Sequence, residues 1–274
     1  MAPAHRPDRR SERRRAVTSL YWDSLFRALR ASAGQAATLR ATLGVFLLGG
    51  IVVATLGTAA FAWVAAHVAR GATQPFDESV LRWIATHRSP GVEEAALEVT
   101  FLGTGLVVLV MVGIAATFLY LTSHKYSAAL LIAATGGGII LNNVLKLGFS
   151  RPRPQLFTWG THVVSSSFPS GHAMSAAIVY GTVAYLAARL QRRRWVRAVT
   201  LGVAALLIVL ISASRLYLGV HYPSDVVAGI CVGLAWAAFC MATLEGIQRY
   251  AIRRPTIRKD EAVEQREETE RRRA

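Results

Sequence analysis

Apolar residues in this chain gather into six blocks, at roughly 42–68, 98–121, 126–147, 170–189, 196–217 and 224–245, separated by short polar stretches. Each is close to the about 20 residues that a helix needs to cross a hydrocarbon layer, where a helix satisfies its own backbone polar groups. The blocks predict an all-α bundle of six transmembrane helices over residues 42–246, flanked by a basic segment, 1–41, and a charged tail, 247–274. Between the first two blocks Phe76, Val80 and Ile84 recur at helical spacing, which predicts a short amphipathic helix on the membrane surface. Val17, Leu20, Tyr21, Leu25 and Leu29 predict a second, cationic one, lying on lipid heads or simply solvated. Gly136, Gly137 and Gly138 interrupt the third block, where missing side chains let neighbouring helices come close. Trp63, Trp83, Trp159 and Trp195 fall near predicted span ends, as interfacial anchors do.

Composition agrees: 53% of the 274 residues are hydrophobic and the mean hydropathy is +0.36, which marks an integral membrane protein. A net charge of +15 would point to nucleic acid if it covered a soluble face, but here it lies mostly in the tails and in the loop Arg189–Arg197. Distributed that way it places both termini and that loop in the cytoplasm, facing anionic lipids, with no nucleic-acid partner. The first outer loop fits, with Asp77, Glu78, Glu93, Glu94 and Glu98 against Arg82 and Arg88. Cys231 and Cys240 both lie in the last apolar block and read as small buried residues, not as a disulfide or a metal site. The first block is long enough to stay as an anchor, so no cleaved signal peptide is expected.

Three polar segments break the pattern, all on the outer side of this six-span scheme. The first, Lys146-Leu-Gly-Phe-Ser-Arg-Pro-Arg-Pro154, gathers cations where cations should be scarce, on a stretch its prolines hold extended. An anion such as phosphate would reward them, and so, less specifically, would lipid heads. The second, Phe168-Pro-Ser-Gly-His172, precedes the fourth span. Ser170 suits the helix cap, Gly171 lets a ligand reach the backbone, and His172 sits in the first turn beside unpaired N–H groups that favour an anion. In the third, Ser214–Asp225, Arg215 is a fixed cation and His221 a nucleophile or base. Asp225, four residues on, is close enough to bond the imidazole, and Pro223 suits the first turn of the returning helix. Read singly, each segment also fits ordinary caps and a snorkelling arginine. Together they bring four cations, two histidines, a hydroxyl, a helix start and a carboxylate to one layer.

These residues resemble the type 2 phosphatidic acid phosphatase family, which shares its pocket with vanadium haloperoxidases. Its signatures, Lys-x6-Arg-Pro, Pro-Ser-Gly-His and Ser-Arg-x5-His-x3-Asp, match Lys146 with Arg153-Pro154, Pro169 to His172, and Ser214-Arg215 with His221 and Asp225, in order. The resemblance implies that His221 attacks phosphorus to give a phosphohistidine, Asp225 fixes its tautomer, and His172 protonates the leaving oxygen and later takes a proton from water. Lys146, Arg153, Arg215, Ser170 and Gly171 would hold the phosphate oxygens, with no metal and no cofactor. Arg151-Pro152 duplicates the Arg-Pro pair; only the family spacing selects Arg153, and Arg151 either assists or faces lipid heads. His162 matches no family position and reads as a loop residue.

The expected activity is hydrolysis of a terminal phosphate on a lipid phosphate or diphosphate, of the phosphatidic acid, phosphatidylglycerol phosphate or undecaprenyl diphosphate class, at the extracytoplasmic membrane face. A lipid transporter or flippase is the alternative from another class, and a non-enzymatic membrane protein a third. A transporter would place charge near mid-membrane in broken helices, whereas here polar residues gather at one face. The sequence leaves the lipid and the oligomeric state open.

Overall fold

The computed structural model describes residues 47–155 and 165–271, and within them every regular element is a helix. The helices are α1 (Leu47–Ala69), α2 (Gln74–Thr86), α3 (Pro90–Phe101), α4 (Gly105–Leu121), α5 (Lys125–Phe149), α6 (Gly171–Leu190), α7 (Arg194–Tyr217) and α8 (Pro223–Arg271). The amphipathic stretch 17–29, Trp159 and His162 lie outside the described residues.

Five helices are each long and apolar enough to cross a membrane: α1, α5, α6, α7 and the Pro223–Ile247 part of α8. Helices α3 and α4, bent by 46° at their junction, supply a sixth when taken as one crossing. This is a multi-pass, all-α membrane protein. The second crossing departs from the expected 98–121 because its helix starts earlier, at Pro90, and breaks at Leu102–Thr104. The break leaves the Leu102 carbonyl without a helical partner, and the Tyr180 hydroxyl donates to it at 2.9 Å. By contrast α5 runs unbroken through Gly136–Gly138. A Cβ on Gly137 would stand 2.4 Å from the Trp236 ring, and one on Gly138 2.5 Å from Ile178, so these two glycines admit neighbouring side chains without ending the helix.

The short surface helix is present as α2, with Phe76 of its apolar stripe exposed and a neighbouring side turned to the protein. It buries Asp77 and Leu81, while Phe76 and Trp83 are exposed. Its inward side is set by a carboxylate that must find partners, a requirement that a count of apolar residues does not register.

Helix α6 is central, with 61% of its apolar window buried against 6% for α1. Alanines make this possible: Ala173, Ala176 and Ala177 have no exposed surface, so neighbouring helices come close. Gly229 and Gly233 on α8 face this stripe, where a Cβ would stand 2.6 Å from the Ser170 carbonyl oxygen and 2.7 Å from that of Met174. The close crossing joins the starts of α6 and α8. Since α5 and α7 run the opposite way, their ends arrive at the same end of the bundle.

Candidate active site

The three polar segments meet at this end. Phe168, fully buried, packs its ring 4.7 Å from that of Phe149 and 5.9 Å from that of Phe61, which anchors the strand of chain leading into α6. The Ser167 N–H donates to the Arg151 carbonyl at 2.8 Å and the Ser170 N–H to the Asp225 carbonyl at 3.0 Å, tying the second segment to both others. Past α7, Gly219 adopts φ +68°, a left-handed turn that suits glycine, and delivers His221 just ahead of α8. Pro223 opens α8 and Asp225 lies in its first turn, as the spacing predicts.

His221 is 2% exposed and Asp225 fully buried. Their closest atoms, Nδ1 and Oδ2, are 3.6 Å apart, longer than the direct bond that the four-residue spacing predicts. Ser167 fills the gap: its hydroxyl donates a very short bond to Asp225 Oδ2 and lies 3.5 Å from His221 Nδ1. The Tyr222 N–H also donates to Oδ2, at 2.9 Å. On the other ring nitrogen, Arg153 Nη1 stands 3.4 Å from Nε2. A guanidinium can only donate, so this contact places the lone pair on Nε2 and the proton on Nδ1, toward the carboxylate. Burial lowers the His221 pKa to about 4, with Arg153 and Arg215 adding to the effect and Asp225 opposing it, so the imidazole is neutral at pH 7.

Three of the cations of the polar segments are not neutralised here. Among the described residues, no carboxylate oxygen pairs with Lys146, Arg153 or Arg215 within 4.0 Å. Arg153 is held by carbonyls instead, donating to Val220 at 2.9 Å and Ser165 at 3.1 Å. Burial lowers its pKa from the ordinary guanidinium value. Arg215 donates to the Thr100 hydroxyl at 2.7 Å, and its Nε is buried with no partner. Lys146 occupies the last turn of α5, and a Cβ on Gly171 would stand 3.7 Å from its Nζ. Ser170 is the N-cap residue of α6, but its side chain makes no capping bond and its buried Oγ has no partner. His172, second residue of α6, lies against the break in the α3–α4 crossing, where a Cβ on Gly103 would stand 3.0 Å from its ring. A cleft of about 720 Å³ lined by Lys146, Ser150, Arg151, Arg153 and Ser165 opens beside these groups. Unsatisfied donors and unneutralised cations gathered near one lone pair are the chemistry that an anion would need.

A PAP2 superfamily model matches residues 126–249, which span all three segments. The chain is also 32% identical over 194 residues to phosphatidylglycerophosphatase B of Bacillus subtilis, a match covering 69% of this chain and 94% of that protein. The chain belongs to the PAP2 superfamily. Shorter matches link it to an undecaprenyl-diphosphatase of Sulfolobus acidocaldarius, 35% identical over 112 residues, 39% of this chain and 50% of that protein. A lipid A 1-phosphatase of Rhizobium johnstonii is 31% identical over 112 residues, 38% of this chain and 41% of that one. The crystal structure of the transmembrane PAP2 type phosphatidylglycerolphosphate phosphatase from Bacillus subtilis superposes with a TM-score of 0.65 at 29% identity. That superposition covers 72% of this chain and 96% of that one.

Several residues at this candidate site are not singled out by the sequence. Ser167 sits one residue before the stretch that carries the second signature, and nothing local marks it. Thr100, on α3, meets Arg215 from 115 positions away. Asn142, one turn before Lys146, would lie 3.3 Å from a Cβ on Gly171 and has a buried, unpartnered Oδ1. Asp77, in sequence only one of the acidic residues of an outer loop, is fully buried. Arg151, which the sequence allows either to assist or to face lipid heads, is 9% exposed and paired with Asp77 at 2.8 Å and with Asp225 at 2.6 Å. Unlike Arg153, it is an internal, neutralised cation.

Proposed function

We propose that this PAP2 chain removes the terminal phosphate of a membrane lipid phosphate or diphosphate through a phosphohistidine on His221, without a metal ion. The observation that carries the reading is the trio of unneutralised cations, Lys146, Arg153 and Arg215, grouped with the lone pair on a buried, neutral His221 Nε2. In the proposed reaction the phosphate takes the Arg153 guanidinium away from Nε2, which then attacks phosphorus in line. The bond from phosphorus to the lipid or diphosphate oxygen breaks, and His172 protonates that oxygen. Asp225 balances the positive charge developing on the imidazole, and Ser167 holds the carboxylate in place. His172 then takes a proton from the water that cleaves the P–N bond, releasing inorganic phosphate and restoring His221. The three cations, with the Ser170 hydroxyl and the Gly171 N–H, bear the charge of the equatorial oxygens, which a divalent ion would otherwise do.

Phosphatidylglycerol phosphate is the first substrate to test, because the relative named for it is matched over nearly its whole length. Undecaprenyl diphosphate and lipid A phosphate, named by shorter matches, come next. The proposed orientation puts the site outside and both termini in the cytoplasm, with the 42–246 helical domain between a basic segment, 1–41, and a charged tail, 247–274. Basic residues from Arg189 to Arg197, at the end of the bundle away from the site, support it and would meet anionic lipids there.

The test is turnover of these lipids by purified protein in detergent, which separates hydrolysis from transport. His221→Ala should abolish both turnover and an acid-labile phosphoenzyme, chelators should leave the rate intact, and vanadate should inhibit. Near-normal turnover by folded His221→Ala would refute the reading.

A further inference from the structure

Two arginines, Arg151 and Arg153, stand two positions apart in the first segment, and the structure gives them opposite surroundings. Arg153 faces Nε2 of His221 and carbonyl oxygens. Arg151 is enclosed by acceptors on both sides. Its Nη1 donates to Asp225 Oδ1 at 2.6 Å and to Ser224 Oγ at 2.8 Å; its Nη2 donates to Asp77 Oδ2 at 2.8 Å and to Gln74 Oε1 at 2.9 Å. The guanidinium also stacks over the Tyr222 ring, 4.2 Å from its centroid. Asp77, fully buried on α2, meanwhile accepts from the Ser224 N–H at 2.9 Å and the Ser224 hydroxyl at 2.5 Å, so it caps the start of α8 from outside.

We infer that Arg151 and Asp77 are positioning residues that clamp Asp225 against His221, which makes surface helix α2 part of the machinery of the site. The clamp works by saturation. Asp225 Oδ1 is bound by Arg151, and Oδ2 by the Tyr222 N–H and the Ser167 hydroxyl, so the carboxylate has one orientation, with Oδ2 toward the imidazole. Two buried carboxylates sharing one guanidinium leave the cluster one negative charge, suited to balance a cation forming on His221. Arg151 borders the cleft that Lys146 and Arg153 also line but spends its donors on protein acceptors, so it acts through Asp225 and not on the substrate. This inference rests on the proposed pairing of His221 with Asp225.

The experiment compares Arg151→Gln and Asp77→Asn with the full-length protein in detergent, measuring kcat, KM and inhibition by vanadate per folded molecule. Arg151→Gln should lower kcat by about 100-fold, as misplacement of a reacting group by an ångström does. Asp77→Asn, nearly isosteric, should lower it by about 10- to 100-fold. In both, KM and the vanadate inhibition constant should stay within about threefold of the parent, the signature of an interaction absent from substrate binding. Should Arg151→Gln fail to fold, Asp77→Asn carries the test, and a parental kcat in that variant overturns the proposal. A retained kcat with KM and the vanadate constant both raised overturns it too, by making Arg151 a phosphate contact. His221→Ala, run alongside, separates the two readings: turnover there sinks the phosphohistidine, whereas a dead His221→Ala with fully active clamp variants sinks only the clamp.

Discussion

A methyl group added to Gly229 would stand 2.6 Å from the carbonyl oxygen of Ser170. No real Cβ sits so near a backbone atom, so the start of α6, with Ser170 and His172, is held against α8, with Asp225, by the absence of a side chain. Gly229→Ala should therefore force the helices apart and cost about 1–3 kcal/mol of stability. The rate should fall further than stability alone explains, because the site straddles this crossing. Gly113→Ala on α4, where a Cβ meets nothing within 4 Å, is the control and should be neutral or stabilising by up to about 1 kcal/mol. Thermal midpoints and kcat in detergent decide it.

Ser167 stands between Asp225 and His221, so Ser167→Ala removes a donor to the carboxylate and lets it reorient. The expected loss is about tenfold in kcat, with vanadate inhibition unchanged, since the hydroxyl faces Nδ1 and not the phosphate side of the ring. A vanadate constant that rises with the loss of rate would instead make Ser167 a substrate contact.

Cations that hold substrate should show themselves in binding. Arg153→Ala removes charge-assisted bonds worth about 1.5–3 kcal/mol, so vanadate inhibition should weaken by roughly 10- to 100-fold. Thr100→Val leaves the Arg215 charge but removes the hydroxyl 2.7 Å from its Nη1. A milder effect of about 0.5–1.5 kcal/mol is expected there, read as a two- to tenfold change in KM. An unchanged vanadate constant in Arg153→Ala would mean that Arg153 does not hold the anion.

His221 also makes stability depend on pH. Its folded pKa, about 4, lies below the unfolded value of about 6.5, so between these limits the unfolded chain binds more protons. Its contribution is thus fully present above pH 6.5 and is lost as pH falls toward 4. Thermal midpoints at pH 7 and pH 4.5 should fall more for the parent protein than for His221→Gln, which cannot take up the proton. Equal falls would mean that His221 titrates normally in the fold.

Much of this was legible from the chain alone. The crossings sit within a few residues of their apolar blocks, except the second, because crossing a membrane is a demand on local composition. The short helix α2 is legible from its spacing, with Phe76 of the stripe left exposed as on a membrane surface, but nothing local marks Asp77, beside that stripe, as fully buried. Ser170 was placed at its helix start correctly, yet its hydroxyl makes no cap. Arg151 and Arg153 could be distinguished only by family spacing, because what separates them arrives from elsewhere: Asp77 and Asp225 each lie 74 positions from Arg151.

From the sequence by itself came the helices, the membrane and the three polar segments, since hydrophobic length and motif spacing are properties of neighbouring residues. Folding decided which charges are cancelled and which are left open. That outcome depends on distances of a few ångströms between groups far apart in the chain, fixed here by a glycine contact between α6 and α8 and by a carboxylate reaching in from a surface helix.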